Sequence, residues 1–284
     1  MLVGIFQTLP GRRILRNVIL YSTMNEAFWK RLHGRTISGP CAVLLEGLQE
    51  TVGFVFFVTD LATRADDMRL MAAKALAEGS SSREEDRDAL KDAEENRVVT
   101  SRLRAYRQVI FQTLITRSVD HYLSYVSGLL SEVFRERPET LRSSEQVRID
   151  FVLRHETMDE LVSALAERRV DRLAYRGLRE LAADLKDNLG LVLFDNDNDL
   201  PRAERIIEAR NLIVHNHGIV SPKYLRKVPN SSTALGQRLS FDFDGVIADI
   251  TFLADCALRT DDLACRKFPL TQRAALPRDE PDRG

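Results

Sequence analysis

The residues best suited to chemistry lie in one stretch, Ile206-Ile207-Glu208-Ala209-Arg210-Asn211-Leu212-Ile213-Val214-His215-Asn216-His217-Gly218. Asp199 and Pro201 supply helix-start signals upstream and Gly218 a stop, so the stretch is expected to end a helix. At about 100° per residue, Ala203, Ile206, Ile207, Ile213 and Val214 share an apolar stripe roughly 120° wide, with Arg210 at its centre. A guanidinium keeps its proton, so placing it on a buried face is costly unless an anion or acceptor meets it there. His215 and His217 follow, and histidine is the side chain that exchanges a proton near neutral pH. A fixed cation beside proton-transfer groups suits a phosphate ester. The same pattern also fits an Arg paired to an acid on a neighbouring helix, with the histidines capping carbonyls.

Arg210-Asn211-Leu212-Ile213-Val214-His215 resembles the Arg-Asn-x-x-x-His motif of HEPN domains, a superfamily of small helical bundles. The family pattern tolerates a variable number of residues between Arg and His, so His217 also fits it. Glu208 stands just upstream, and the general resemblance runs from about Leu103 to about Phe268. What the resemblance implies is a homodimer whose paired motifs form a metal-independent endoribonuclease site, as in many members; others only scaffold a complex or bind nucleotide or RNA. On that basis Arg210, Asn211 and His215 are the catalytic candidates, with His217 and Glu208 auxiliary, no metal and no cofactor. RNA is the implied substrate, and a toxin or defence effector with a cognate antitoxin or regulator the implied setting.

The choice between the histidines is open on geometry. On a regular helix His217 lies about 20° from Arg210 and His215 about 140° away, beside Asn211 and Glu208. The wheel favours His217; the commoner form of the motif favours His215, which is the assignment made here because the last turn before Gly218 can depart from an ideal helix.

The elements that must position these groups are helical. The chain is 44% hydrophobic and 29% charged with a net charge of −1, so any RNA contact must come from a local patch rather than the overall field. Ser221–Pro229 supplies one: a basic loop with Lys223, Arg226 and Lys227 directly after the motif. Cys41, Cys256 and Cys265 match no metal-ligand spacing and read as reduced thiols, pointing to the cytoplasm. No apolar stretch reaches the ~18 residues of a membrane helix.

Along the chain, 1–38 is an N-terminal extension. Arg12, Arg13 and Arg16 give it a faint transit-peptide character without the Ser-rich repeat, and Met24 could equally start the chain. Residues 39–98 form a helical extension, with apolar steps through Leu44, Leu48, Val52 and Val55 and a linker at 79–82; Val52–Val58 also suits a strand. Arg83 to Arg97 is a solvated helix with opposite charges at i,i+3 such as Glu84/Arg87 and Asp88/Lys91. From 99 to 268 the pattern is that of an up-and-down bundle of HEPN type. A long rod continues from Val99 through Ile115, Val119, Tyr122, Val126, Leu129 and Val133 to a stop before Pro138, with His121 on its surface. Capping boxes at Ser143–Gln146 and Thr157–Glu160 start further helices, and another runs from about Tyr175 to Asn188 and stops at Gly190.

Two decoys are set aside. Asp195-Asn196-Asp197-Asn198-Asp199 lacks the Gly and Glu of a calcium loop. Phe241-Asp242-Phe243-Asp244-Gly245 resembles the first motif of haloacid-dehalogenase-like phosphatases but lacks the parallel sheet and downstream partners. A last helix from about Asp244 to Lys267, with Ile247, Ile250, Ala254 and Leu258 inward, fits better. Residues 269–284 are expected to be a disordered tail.

Overall fold

The structure, a computed structural model, describes residues 32, 34–79, 82–141 and 146–275. Strand β1 (Thr36–Ser38) leads directly into helix α1 (Gly39–Ala77). Ser38 caps that helix by accepting the Cys41 N–H, and Pro40 occupies the first turn, where no N–H is needed. There follow α2 (Glu84–Glu95), α3 (Val98–Ala105), α4 (Arg107–Glu136), a 3₁₀ turn at Pro138–Leu141, α5 (Ile149–Val152) and α6 (Met158–Arg176). Then come α7 (Leu178–Asp184), which runs into a π turn at Leu185–Leu189, α8 (Asp199–Asn216), α9 (Pro222–Lys227), α10 (Phe243–Lys267) and β2 (Gln272–Ala274). The described chain is all-α apart from antiparallel pairing of β1 with β2, Ile37 opposite Arg273, and an isolated antiparallel bridge between Ile219 and Arg238.

Helix α4 is the central rod, packed by α1, α6, α8 and α10. Its buried face is the expected stripe of Ile115, Val119, Tyr122, Val126, Leu129 and Val133. Contact registers give the directions. Pro40 and Gly47 of α1 meet Gly128 and His121, and Arg210 and Gly218 meet Asp120 and Gln112, so α1 and α8 run antiparallel to α4. Gln108 exchanges hydrogen bonds with the Phe241 backbone at 2.7 and 3.0 Å, and the Tyr125 hydroxyl donates to the Ala257 carbonyl at 3.0 Å, so α10 runs parallel to it. Ile247, Ile250, Ala254 and Leu258 are buried as expected, and the Asp242 carboxylate of the phosphatase-like motif caps α10 by accepting the Gly245 N–H at 2.9 Å.

Several expectations are corrected. The rod breaks at Tyr106, because α3 turns to pack on α1, where the buried Asp66 carboxylate accepts the Val99 and Thr100 N–H groups at 3.0 and 2.9 Å. Residues 39–98 are not a separate extension: Cys41, Leu44, Leu45, Leu48 and Val52 belong to the same core as α4 and α10. Val52–Val58 is helical. The charges of α2 reach α1 in Arg69–Asp92, and Arg97, just past the end of α2, pairs with Asp67. The helix expected from Tyr175 is divided at Gly177, whose φ of 107° no L side chain favours, although Gly190 ends the segment as foreseen with φ 58°. Residues 269–275 are not a loose tail, since β2 pairs there and Leu270 and Ala275 are buried. The cap at Thr157 is present, accepting from Glu160 N at 3.2 Å, while the capping box at Ser143–Gln146 lies mostly outside the described residues. The readings of residues 1–31 and 276–284 fall outside them altogether.

His121 is a half-buried packing residue rather than a surface one. A Cβ added at Gly47 would run into its imidazole ring. Gly47→Ala should therefore displace the end of the His121 side chain, and because alanine is the better helix former the net change should stay within about 1 kcal/mol; urea denaturation reads the shift. Burial, helped by Arg117, holds the His121 imidazole below its ordinary 6.5 against the opposing pull of Asp120 and Glu50. The unfolded chain thus binds that proton more tightly. The histidine's contribution is present above pH 6.5 and is lost as pH falls through the lower folded value. His121→Gln should flatten this acid limb in denaturation measured across pH.

Candidate functional site

Helix α8 carries the motif and is held on two sides. Ala203, Ile206 and Ile207 enter the main core, while Ala209 and Leu212 enter a second cluster with Val220, Tyr224, Val228 and Leu239. Burial raises the Tyr224 phenol above its ordinary value, so it stays neutral there. The predicted stripe is thus too narrow at one edge and too wide at the other: Ala209 and Leu212 are buried, whereas Val214 is 46% exposed. The first turns of α8 are tied to α10 by charge. Asp249 accepts from Arg205 at 2.7 and 2.8 Å and from Arg202 at 3.2 Å, and Arg259 reaches Asp195 and Asp199. Asp199 is the first helical residue rather than the cap; Asn196 Oδ1 accepts its N–H at 3.1 Å.

Arg210 meets an acid on the neighbouring helix, one of the arrangements open from sequence. Its Nε and Nη2 lie 2.9 and 2.7 Å from Asp120 Oδ1 of α4, and its Nη1 donates to Asn211 Oδ1 at 3.3 Å. The guanidinium therefore orients Asn211. His215 is exposed in the last turn, without hydrogen bond or ion pair among the described residues. His217 has left the helix: its φ is 52°, and its N–H and that of Gly218 both reach the Leu212 carbonyl in a helix-ending turn. The wheel angle that linked His217 to Arg210 does not apply to a residue beyond the last helical turn. Within one chain neither histidine contacts Arg210.

Beside the motif lies a cleft of about 610 Å³ between α4, α7, α8 and α9. Leu123, Val126, Leu130, Leu178 and Ile207 floor it, and Asn211, Glu208, Arg226 and Lys227 stand on its rim. Four of the expected site residues thus share one cleft, while Arg210, His215, His217 and Lys223 do not line it. Glu208 pairs with Lys227, and Arg179 with Glu204 at 2.6 Å, so Arg226 is the rim cation without an acid partner among the described residues. The basic loop is in fact helix α9, capped by Ser221, whose Oγ accepts the Tyr224 N–H at 3.2 Å.

Sequence reasoning missed Asp120 and the Arg179–Glu204 pair. Asp120 carries a weak signal, a lone acid beside the buried stripe of α4; Arg179 and Glu204 carry none. Among the described residues no group of three or more His, Cys, Asp or Glu side chains is placed to hold a metal ion. No protein-family model, curated protein or solved structure matches the chain.

Proposed function

We propose that this protein is a HEPN-type homodimer that cleaves RNA without a metal, using Arg210, Asn211 and His215 drawn from two copies, in the cytoplasm as a toxin or defence effector under a cognate regulator. What supports this reading above all is the disposition of the motif. Arg210 orients Asn211 toward the rim of a cleft of mixed charge that carries Arg226, while His215 stands exposed and uncommitted one turn further on. A histidine that cannot reach the arginine of its own chain can reach that of a partner.

In the proposed reaction a ribose 2′-oxygen attacks the adjacent phosphorus as the P–O5′ bond breaks. His215 transfers the proton, Arg210 stabilises charge growing on the phosphoryl oxygens, and Asn211 orients the substrate. The products are a 2′,3′-cyclic phosphate and a 5′-hydroxyl. The test is cleavage of single-stranded and structured RNA by purified protein in chelator, with end-group analysis and Arg210→Ala alongside.

A second reading is favoured by one observation. The Arg210–Asp120 pair already gives the guanidinium an acid partner, as a non-catalytic module that binds RNA or scaffolds a complex would require. Under that reading Arg210→Ala changes stability by about 1 kcal/mol, as for a partly exposed pair, and no RNA is cut.

A further inference from the structure

Helix α1 has two different halves. Up to Val52 it is buried in the core. Beyond that, it turns Ala62, Asp66 and Ala73 toward α2 and α3, and among the described residues its opposite face is left exposed. That open face carries Phe54, Phe57, Leu61, Met68 and Met71, all between 55% and 67% exposed. With Arg64 between Leu61 and Met68, their spacing is three, four, three, four, three, the a/d alternation of a coiled-coil seam. An amphipathic helix with one satisfied apolar face and a second, heptad-spaced one left bare calls for a second helix of the same pitch.

We infer that this seam pairs with the same seam of a second copy, antiparallel, across a two-fold axis near Arg64. The spacing reads the same in both directions, so reversal sets Phe54 against the partner copy's Met71, Phe57 against its Met68 and Leu61 against its Arg64. Each aromatic ring then meets a thioether, a favourable contact for sulfur. Parallel pairing would stack Arg64 on its own copy in the middle of the seam, whereas the antiparallel register keeps the two guanidinium groups apart, each bound to Asp60 of its own helix at 2.6 Å. Large apolar side chains offer roughly 150–200 Å² each, so five of them about three-fifths exposed present roughly 500 Å² per copy. With the flanking residues, two copies bury on the order of 1,200 Å², the lower bound of specific stable interfaces. By length and composition α1 also passes for a membrane span. The stretch that passes ends before Asp60, however, and is buried in the core at Cys41, Leu44, Leu45, Leu48 and Val52, while the bare half beyond it carries Asp60, Arg64, Asp67, Arg69 and Lys74, which hydrocarbon opposes and a solvated coiled coil accepts.

The inference is independent of the ribonuclease reading, since an inert protein would pair in the same way. The RNA assay probes the motif, and the change in molar mass on breaking the seam probes the seam. Light scattering on the full chain at micromolar concentration should give a multiple of the chain mass that breaking the seam halves: from twice to once if the seam is the sole contact between copies, from four times to twice if the motif on α8 pairs as well. Phe57→Glu/Met68→Glu, which sets Glu against Glu in the matching layers, should weaken dimerisation at least about 100-fold with unchanged far-UV circular dichroism, because both side chains are exposed in the single copy. Equilibrated mixtures of Phe57→Cys and Met68→Cys protein should cross-link as heterodimers with a short bismaleimide. A wild-type monomer, or one that binds anionic vesicles through this helix, overturns the inference. So does a Glu variant whose molar mass equals that of the wild type, and homodimeric cross-links alone overturn the antiparallel register.

Discussion

Replacing His215 by alanine should lower the rate of RNA cleavage by roughly 10²–10⁴-fold, the usual cost of removing a general acid–base group. The arrangement of α8 makes a sharper test available. Arg210 is fixed against Asp120 on one side of the helix, and His215 stands exposed in its last turn without contacting it. If the working pair is formed between copies, Arg210→Ala protein supplies the histidine and His215→Ala protein the arginine. Mixing the two inactive variants should then restore roughly a quarter of wild-type activity, from half the dimers carrying one complete site each. His217→Ala should cleave at close to the wild-type rate, since that residue serves the left-handed turn ending α8. If His217→Ala is dead and His215→Ala normal, the histidine assignment is wrong and the chemistry stands. If all three variants cut like wild type, the activity is a contaminant and the binding-module reading takes over.

The second large effect is on stability. Asp261 of α10 is buried, and its carboxylate accepts both the Ser38 N–H, at 3.0 Å, and the Ser38 hydroxyl. It thereby joins the start of α1 to the last helix. Asp261→Ala strips acceptors from two buried donors at once and should cost about 3 kcal/mol, read as a shift in urea midpoint at constant slope. Asp261→Asn keeps one acceptor and should cost about a third as much. Burial raises this carboxyl above its ordinary value, only partly offset by Ser38, so the folded chain holds the proton more tightly than the unfolded one. That contribution is complete below the ordinary carboxylate range and disappears as pH rises through the raised value. The asparagine variant should lack this slope.

Helical periodicity carried the all-α class, the central rod and the inner face of α10, because each rests on residues close in sequence. The Thr157 cap and the Gly190 stop were legible for the same reason. What could not be read were relations between distant residues. Asp66 draws α3 onto α1 across more than thirty positions, and that contact breaks the rod at Tyr106. The tail beyond 269 looked disordered because its order comes from pairing with Thr36–Ser38 at the far end of the chain. At the site, the residue types at 208, 210, 211, 215, 226 and 227 stood out in the sequence. The partner of Arg210, the departure of His217 from the helix and the apolar floor of the cleft required α4 and α7 to be in place.

Helix α1 is continuous, yet its two halves are secured by different physics. The first is sealed by apolar burial; the second is held to α2 and α3 largely by Asp66, Arg69–Asp92 and Arg97–Asp67. Apolar burial is indifferent to ionic strength and exposed ion pairs are not. The backbone amides of this one unbroken helix should therefore exchange with solvent at graded rates, slowest near Leu45 and fastest toward Ala77. Salt would steepen that gradient, and a helix bound along the seam would level it.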